Sequence, residues 1–426
     1  MKSVLVLGAG LQGICTAYYL SKHGLDVTLI ERNEGPALEA SKGNGGYLQA
    51  EFPEIWNAPG IVSVLAKAWR ASLGSKRHEA AMLVDTKELL RLVPWGLRFL
   101  RSANTQSFLD NTLTNRLLAQ YSLEQMAELR AHTGIAYDHA QQGALFVFRD
   151  TQSMDVYRPM LDHLEKRGGC FEFLDQKQLL ALEPVLQPIG EQLCGAIRYQ
   201  NDASGNSYLF AQSLLDLAIV NGVRVKYGAP VLNILKQAQK ICVQVKDEVL
   251  EANSLVIAAG VESKLLAQNL GIKLHIAPVK GYSLTIPLGD WHNRPSHVIA
   301  DMGVHAGVTV LGDVLRVAGT AEFCGYDYAL PDERIEYLLK LTEQILPDFA
   351  ATMDRTKISP FAGLRPLSAD GMPFIGRSQF ANVFINTGHG GLGWTQAAGS
   401  GRALADLIAG VKPGIDLTPF APTRSV

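Results

Sequence analysis

The sequence VLVLGAGLQG at residues 4–13 places three glycines within six residues, directly after a run of apolar side chains. The run is continuous rather than alternating, which is typical of a strand buried on both faces of a parallel sheet. Residues 14–23 then predict a helix that ends at Gly24, and Asp26–Ile30 predicts a second strand. The glycines therefore lie in the strand-to-helix turn of a βαβ unit.

Each glycine of this turn has its own use if the unit binds a dinucleotide. Gly8 permits the tight turn, Gly10 lets a pyrophosphate approach the backbone, and Gly13 lets the helix pack on the strand, while the helix N-terminus adds positive potential. Glu31 ends the second strand, where its carboxylate can accept hydrogen bonds from a ribose diol. A plain turn is the alternative. We predict that an ADP-containing dinucleotide contacts Gly8, Ala9, Gly10, Leu11, Gln12, Gly13, Glu31 and Arg32.

Composition excludes several other classes of protein. The chain has 426 residues, of which 47% are hydrophobic and 19% charged, and its net charge is -2, so it is an ordinary globular chain with room for two domains. Nucleic-acid binding is not predicted, because the chain is not basic, and no metal site is predicted, because the five cysteines are far apart and have no zinc-type spacing. Widely spaced cysteines also favour a reducing compartment.

The expected location is the cytoplasm, with peripheral contact to the cytoplasmic face of the inner membrane as the alternative. The glycine turn begins close to the first Met, which leaves no room for a signal peptide, and no stretch approaches the roughly 20 apolar residues of a membrane span.

Residues 83–130 are predicted to be helical throughout. Within them, KELLRLVPWGLRFLRS (87–102) mixes apolar residues with Arg91, Arg98 and Arg101. An amphipathic helix packed on the body is favoured over a membrane-surface or quinone-facing segment.

The middle of the chain predicts a second cofactor contact. The segment SLVIAAGVES (254–263) is an apolar strand that ends in small residues, so its backbone at Ala259 and Gly260 can lie against a cofactor; an ordinary strand end is the alternative. Such an element far downstream is typical of a protein that wraps an extended FAD. Further strands are predicted at 143–149, 195–202, 223–228 and 240–246, and a helix at 209–221.

A second glycine-rich turn lies near the C-terminus. A strand at 383–386 runs into a turn with Gly388, Gly390, Gly391 and Gly393, and a helix is predicted from about Thr395. Free N–H groups at such a turn can hold the carbonyl edge of a reduced flavin ring. Two such turns fit one long ligand, with the pyrophosphate at the first and the isoalloxazine at the second. We expect flavin contacts from Gly390, Gly391, Leu392, Gly393, Trp394 and Thr395.

Several motifs along the chain carry a family resemblance. They are ALEASKGNGGYL (37–48), EIWNAPG (54–60), PVKGYSLTIP (278–287), GLRPLSADGMPFIGR (363–377) and NTGHGGLGWTQAAGSG (386–401), of which the last two are specific. With these motifs the chain resembles the FAD-dependent D-amino acid oxidase superfamily, which includes glycine oxidase, sarcosine oxidase and D-amino acid oxidase. Within that superfamily it is most similar to the small subunits of bacterial D-amino acid dehydrogenases.

The resemblance implies a fold and a domain division. The expected fold is α/β, with an FAD-binding Rossmann-like domain and an interleaved α+β substrate domain of mixed antiparallel sheet and helices, as in glycine oxidase. We assign residues 1–85, 204–262 and 356–426 to the FAD-binding domain. Residues 86–203 and 263–355 are assigned to the substrate-binding domain.

The resemblance also implies an activity. It is the oxidative deamination of D-amino acids to 2-oxo acids and ammonia by hydride transfer from the α-carbon to flavin N5, with electrons passed to a quinone or another respiratory-chain acceptor rather than to O2. The FAD is expected to be non-covalent, since Pro366, Leu367 and Ser368 stand where the sarcosine-oxidase branch has a cysteine. An oxidase or dehydrogenase of glycine, sarcosine, hydroxyproline or another imino acid stays open, because NDASGNSYLF (201–210) and SKGNGG (41–46) depart from the dehydrogenase pattern. A nicotinamide-only dehydrogenase and an accessory flavin-binding subunit are the remaining alternatives.

Three side chains are the catalytic candidates. Arg365 matches the family's carboxylate-binding arginine, and a guanidinium can hold a carboxylate with two parallel hydrogen bonds. Tyr282 is expected to cap that carboxylate or line the pocket, with a buried strand tyrosine as the alternative, and His389 to contact flavin or substrate unless it bonds the backbone. No enzymic base is required if the amine enters neutral, since hydride transfer then needs positioning. Further cofactor contacts are expected from Ser41, Asn44, Gly45, Gly46, Gly363 and Arg365 itself.

Overall fold

Two large β-sheets organise the chain in the computed structural model, which describes residues 2–74, 77–237, 240–246 and 248–426. In chain order the strands are β1 (Ser3–Leu7), β2 (Asp26–Ile30), β3 (Tyr47–Leu48), β4 (Met82–Val84), β5 (Ala144–Phe148), β6 (Glu172–Asp175), β7 (Gly195–Tyr199), β8 (Ala203–Ser204), β9 (Arg224–Lys226), β10 (Asn233–Lys236), β11 (Ile241–Gln244), β12 (Val249–Ala252), β13 (Ser254–Ile257), β14 (Ile276–Pro287), β15 (Val298–Asp301), β16 (Ala306–Leu311), β17 (Val314–Phe323), β18 (Ser359–Ser368), β19 (Phe374–Arg377) and β20 (Val383–Thr387). The helices are α1 (Leu11–Lys22), α2 (Ile61–Ser72), α3 (Leu89–Ser102), α4 (Thr105–Thr133), α5 (Thr151–Asp155), α6 (Arg158–Glu165), α7 (Gln176–Leu182), α8 (Ser207–Val220), α9 (Ser263–Gln268), α10 (Asp332–Ile345), α11 (Pro347–Ala350) and α12 (Ala397–Ala409).

The first sheet has six strands in the order β19-β20-β13-β1-β2-β9, and it is parallel except for β19. The predicted unit at the start of the chain is confirmed, since α1 connects β1 to β2 and Gly24 follows the helix with φ of 72°. Ile14 of α1, Phe210 of α8 and Leu404 of α12 meet in one core cluster. The continuous apolar sequence of β1 is explained by helices and strands that cover both faces of this sheet.

The second sheet has nine strands and is mixed. Its order is β18-β14-β17-β16-β15-β5-β7-β6, with β4 paired to β17, and only β15 with β5 and β4 with β17 are parallel pairs. Its strands come from two separate stretches of sequence, β4–β7 and β14–β18, which confirms an α/β fold with a second, interleaved mixed sheet. The predicted boundary at residue 356 does not coincide with the edge of this sheet, because β18 pairs with β14 along its whole length. The division into domains stays a prediction.

The downstream strands and helices follow the sequence closely, but the prediction of unbroken helix over 83–130 is wrong. Residues 82–84 form β4 on the edge of β17, and two helices follow instead of one. The break falls at Ala103 and Asn104, where Asn104 is extended and its side chain accepts a hydrogen bond from the Ser107 backbone N–H. Asn104 therefore caps α4, an arrangement that a continuous helix would not allow.

Helices α2 and α3 leave one face uncovered. Trp95 and Phe99 of α3 are buried in a core cluster that also contains Ala68 of α2. On the outer side of α3, Leu90 is 85% exposed and Leu97 is 66% exposed. Across the residues described, no helix is both long and apolar enough to cross a bilayer.

Candidate active site

A cavity of about 550 Å³ is lined by residues from both large sheets. At one end the lining comes from the segments after β1, β2 and β13, and at the other from β14, β16, β17 and β18 and from the turn after β20. The predicted residues in its wall are Gly8, Gly10, Leu11, Gln12, Glu31, Arg32, Ser41, Asn44, Gly45, Ala259, Gly260, Tyr282, Gly363, Arg365, His389, Gly390, Gly391, Gly393 and Trp394. One cavity thus collects both glycine turns and the three catalytic candidates.

The N-terminal glycine turn (Gly8–Gly13) contains two glycines that packing requires and one that has open space in the cavity wall. A Cβ at Gly13 would lie 1.8 Å from the Gly8 carbonyl oxygen, and a Cβ at Gly8 would lie 2.8 Å from that of Ala258. At Gly10 the nearest such atom is the Ser41 Oγ, at 3.5 Å. Gly8 and Gly13 are therefore fixed by packing, whereas Gly10 has open space beside its backbone, as a close pyrophosphate requires.

Glu31 occupies the position expected of a ribose-binding carboxylate. Its Oε2 accepts a hydrogen bond from the Ala9 N–H at 2.7 Å, and its Oε1 accepts one from the Asn33 N–H at 2.9 Å. Both bonds fix the carboxylate at the cavity wall while lone pairs remain for a ligand. The neighbouring Arg32 is paired with two carboxylates, Glu39 at 2.8 Å and Glu262 at 3.1 Å. Arg32 is thus engaged by protein carboxylates, whereas the Glu31 carboxylate keeps free lone pairs; recognition of a ribose diol by Glu31 stays a prediction.

The C-terminal glycine turn (Gly388–Gly393) is joined to the N-terminal one. The Gln12 side chain donates from Nε2 to the Gly393 carbonyl oxygen at 2.7 Å. The predicted helix begins later than Thr395, at Ala397, because residues 390–392 form a separate 3-10 turn. Thr395 is used by the protein, since its Oγ1 accepts a hydrogen bond from the Gln49 N–H at 3.0 Å. A Cβ at Gly391 would have no neighbour within 4 Å, so this glycine, like Gly10, has open space beside it.

His389 is a buried imidazole in the cavity wall. It is only 4% exposed, and its Nε2 has no hydrogen-bond partner within the described part of the chain. Burial lowers the pKa of His389 from 6.5 to about 3, so the ring is neutral at neutral pH. An unpaired buried polar atom is costly unless a ligand satisfies it, and this atom therefore fits a site completed by a bound group.

Arg365, on β18, is a cation without an anion. Its Nη1 donates to the Thr320 carbonyl oxygen at 3.1 Å, and its Cζ lies 6.0 Å from the centroid of the Trp56 ring. No carboxylate among the described residues lies within salt-bridge distance of this guanidinium. Burial lowers the pKa of Arg365 to about 10, which still leaves the side chain charged at neutral pH. A guanidinium of this kind in a cavity wall has the charge and the N–H donors to bind a carboxylate.

Tyr282 borders the cavity, but its hydroxyl is already engaged. It donates to the Glu322 Oε2 at 2.9 Å, and burial raises the pKa of the phenol. The guanidinium of Arg334 lies 5.5 Å from the ring centroid. The geometry favours the alternative that Tyr282 is a buried strand tyrosine.

Five of the predicted contacts lie behind the wall rather than in it: Ala9, Gly13, Gly46, Leu392 and Thr395. Their contact with a cofactor stays a prediction. Sequence reasoning missed Tyr47, Trp56 and Gly281, which do line the cavity. Trp56 lies inside the motif EIWNAPG, which was the one signal that pointed to it.

Among the residues with a described placement, no group of three or more His, Cys, Asp or Glu side chains is arranged to hold a metal ion.

Solved structures with the same fold include proteins named as an oxidase and a dehydrogenase. Glycine oxidase from Geobacillus kaustophilus superposes with a TM-score of 0.75 at 21% identity and full coverage of both chains. L-proline dehydrogenase from P. horikoshii gives 0.76 at 17% identity, covering 99% of this chain and 97% of that one. At these identities the likeness shows the fold alone, and it confirms the glycine-oxidase-like architecture.

Sequence relatives extend over the full length. A protein of Methylobacterium sp. (strain 4-46) named D-amino acid dehydrogenase is 37% identical over 424 residues, which is 99% of this chain and 98% of the relative. A protein of the same name from Rhizobium johnstonii is 37% identical over 422 residues, 99% of each chain. The family model described as DAO, FAD dependent oxidoreductase, matches residues 3–407. The chain therefore belongs to the DAO family of FAD-dependent oxidoreductases, an enzyme whose cofactor is FAD.

Proposed function

We propose that the chain is a D-amino acid dehydrogenase, which converts D-amino acids to 2-oxo acids and ammonia. The observation that carries the proposal is Arg365, a partly buried cation with no carboxylate partner among the described residues, in the wall of the cavity that both glycine turns also line. An amino-acid substrate always brings a carboxylate, and Arg365 is placed to bind it. The relatives named D-amino acid dehydrogenase support this substrate class over others.

Different residues of the cavity are proposed to bind different parts of the cofactor and substrate. Glu31 and the N-terminal glycine turn hold the adenosine and pyrophosphate, and the C-terminal glycine turn holds the flavin end through non-covalent contacts. Bound FAD supplies the acceptor for the hydride that leaves the substrate α-carbon. Arg365 orients the α-carbon by binding the carboxylate with two hydrogen bonds, which fixes the reacting geometry.

No residue of the substrate end is placed as a general base. The carboxylates in the described cavity wall are Glu31, Glu39 and Glu262, and all three lie at or beside Arg32, at the adenosine end. His389 is neutral, but with a pKa near 3 it is a poor proton acceptor at neutral pH. The amine therefore enters in its neutral form, and positioning alone prepares it for oxidation.

Anaerobic bleaching of the flavin tests this function without an electron acceptor. The panel contains D-amino acids, their L-enantiomers, glycine, sarcosine and hydroxyprolines. We expect D-amino acids to bleach the flavin and their L-enantiomers to fail. Bleaching only by glycine, sarcosine or a hydroxyproline would replace the proposed substrate class. A flavin that no amino or imino acid bleaches would contradict the proposed activity altogether.

The electron acceptor is proposed to be a quinone or another respiratory-chain component. Once reduced, the enzyme is expected to pass electrons quickly to a quinone analogue and slowly to O2. Stopped-flow reoxidation in the two acceptors measures both rates. Rapid, stoichiometric hydrogen peroxide formation in air would instead place this enzyme among the oxidases.

We also propose that the outer face of α2 and α3 rests on an anionic membrane. Both helices expose large apolar residues, among them Val62 and Trp69 of α2 and Leu90 and Leu97 of α3. The helices themselves contain no acidic residue, and their basic residues are Lys67, Arg70, Arg91, Arg98 and Arg101, of which Arg91 pairs with Glu88, directly before α3, at 2.9 Å. This local positive charge contrasts with the net charge of -2 for the whole chain. Apolar side chains beside basic ones complement the surface of an anionic bilayer.

Vesicle co-sedimentation tests the membrane contact. The wild-type protein is expected to sediment with vesicles containing phosphatidylglycerol and to stay in the supernatant with pure phosphatidylcholine. The double variant Leu90→Ser/Leu97→Ser should lose most of this binding. Leu235→Ser, at an exposed leucine on β10, is the matched control and should bind as the wild type does. Equal binding by all three proteins would contradict a contact through this face.

A further inference from the structure

The Arg365 side chain lies over a glycine of the neighbouring strand. In the antiparallel pair of β14 and β18, Val279 is opposite Arg365 and Gly281 is opposite Gly363. Directly opposed residues of an antiparallel pair face the same side, and side chains two positions apart do so as well. Gly281 therefore lies on the same face of the sheet as Arg365.

The guanidinium fills the space that a side chain at position 281 would need. A Cβ at Gly281 would lie 2.3 Å from the Arg365 Nη1 and 2.4 Å from its Cζ. Gly281 is absent from the residues with positive φ, so its backbone conformation is open to any L-residue. The glycine at this position is thus required by Arg365 and not by the strand.

A β-bulge on the other side of β14 holds the same guanidinium. Lys280 is opposite Glu322 and Tyr282 is opposite Gly319, so Gly281 faces two residues of β17, Thr320 and Ala321. Thr320 has φ of 62°, which is a rare conformation for a β-branched residue. Its carbonyl oxygen is the one that accepts the hydrogen bond from the Arg365 Nη1.

We propose that Gly281 is a positioning residue that sets the orientation of Arg365 for the substrate carboxylate. The inference rests on the proposed role of Arg365. The flat guanidinium lies against the backbone at Gly281, and the bulge carbonyl of Thr320 engages one N–H of Nη1. These two contacts fix the plane of the group and leave its other N–H donors for two parallel bonds to a carboxylate, an arrangement that tolerates little displacement.

A double-mutant cycle of Gly281→Ala and Arg365→Ala tests the proposal. In Gly281→Ala the new methyl displaces the guanidinium. We therefore expect the apparent KM, the substrate concentration that gives half of the limiting rate of anaerobic flavin reduction, to rise about tenfold or more, with the limiting rate itself within about threefold of the wild type. In the Arg365→Ala background the same methyl meets no guanidinium and should change KM by less than about twofold. Ser283→Ala, on the same strand and face, is the control and should resemble the wild type.

Binding and stability provide readouts that do not depend on turnover. Benzoate, a simple carboxylate followed by the change in flavin absorbance, should bind Gly281→Ala about tenfold or more weakly than the wild type. If Gly281→Ala lowers the melting temperature, Arg365→Ala should restore it, because the clash is with Arg365 itself.

The outcomes separate this inference from the proposed function. Reduction and benzoate binding that survive Arg365→Ala would contradict the role of Arg365. If Arg365→Ala is disabled but Gly281→Ala resembles the wild type, only the positioning role fails. A Gly281→Ala defect in KM or stability that persists unchanged without Arg365 would also overturn the positioning role.

Discussion

The N-terminal and C-terminal glycine turns each combine crowded glycines with open ones, and they differ in what the crowded glycine meets: a Cβ at Gly13 would meet backbone, whereas a Cβ at Gly388 would lie 2.9 Å from the Phe374 side chain. In the first, Gly13 would clash with the backbone of the turn itself if it carried a Cβ, at 1.8 Å from the Gly8 oxygen. In the second, Gly391 would meet no atom within 4 Å. Gly10 of the first turn has open space in the same way, apart from the Ser41 hydroxyl at 3.5 Å.

This difference separates two kinds of glycine in one site. A glycine that packing requires would be present whether or not the turn bound a ligand. A glycine with empty space beside it, in the wall of a cavity, is explained by something that fills the space. Gly10 and Gly391 are therefore stronger indications of the cofactor than Gly13.

The largest expected effect distinguishes Gly13 from Gly10. Gly13→Ala should lower the free energy of unfolding of the FAD-free protein by about 3 kcal/mol, because backbone must move to admit the methyl. Gly10→Ala should lower it by about 1 kcal/mol or less, and weaken FAD binding instead. Urea unfolding and FAD titration of both variants measure the contrast. Equal destabilisation by the two changes would remove the distinction between the two kinds of glycine.

The next effect is expected at Glu31, whose carboxylate accepts backbone hydrogen bonds and is proposed to bind the ribose as well. Glu31→Ala removes a charged hydrogen-bond acceptor and should weaken FAD binding by roughly 1.5 to 3 kcal/mol. It also leaves the Ala9 N–H without its partner. Glu31→Gln, which keeps one acceptor oxygen, should lose less. FAD affinity that is unchanged in Glu31→Ala would discard the ribose assignment.

A pH dependence is expected from His389, next to the C-terminal glycine turn. The pKa of His389 is about 3 in the folded state, below the ordinary 6.5. Between these pH values the unfolded state therefore binds a proton that the folded state does not bind. Stability should therefore fall as pH falls from about 6.5 towards 3, by up to about 1.4 kcal/mol per pH unit relative to His389→Gln. Urea unfolding of the FAD-free proteins between pH 4 and 6.5 checks the slope. Parallel pH profiles for the two proteins would mean that His389 titrates normally.

The smallest effect on stability is expected at Gly391. Gly391→Ala adds a methyl to open space, so the free energy of unfolding without FAD should change by less than about 0.5 kcal/mol. FAD binding should still weaken, because the methyl occupies space assigned to the cofactor. A variant that loses stability but keeps full FAD affinity would reverse the interpretation of this turn.

Local sequence patterns predicted the first βαβ unit and the residues that it contributes to the cavity wall, among them Gly10 and Glu31. The strand, the glycine turn, the helix and Glu31 are contiguous, so short-range periodicity and turn chemistry determine them. The substrate end depends on three strands that are distant in sequence. Arg365 was found through a motif, but Gly281 and the Thr320 bulge become visible only once β14 lies between β17 and β18. The hydrogen bond of Tyr282 to Glu322 was not foreseen for the same reason, since the two residues are 40 positions apart in sequence.

The central proposal is that Arg365 binds the substrate carboxylate in the cavity that also binds FAD. Anaerobic flavin reduction by a D-amino acid at low concentration, compared in wild type, Arg365→Lys and Arg365→Ala, tests this directly. Removing one partner of a desolvated charge pair costs on the order of 2 to 5 kcal/mol, so Arg365→Ala should reduce its flavin roughly 30-fold or more slowly, with FAD still bound. Arg365→Lys keeps the charge but loses the two-pronged geometry, and should fall between the two. Reduction of Arg365→Ala at the wild-type rate would contradict the account and move the carboxylate site elsewhere.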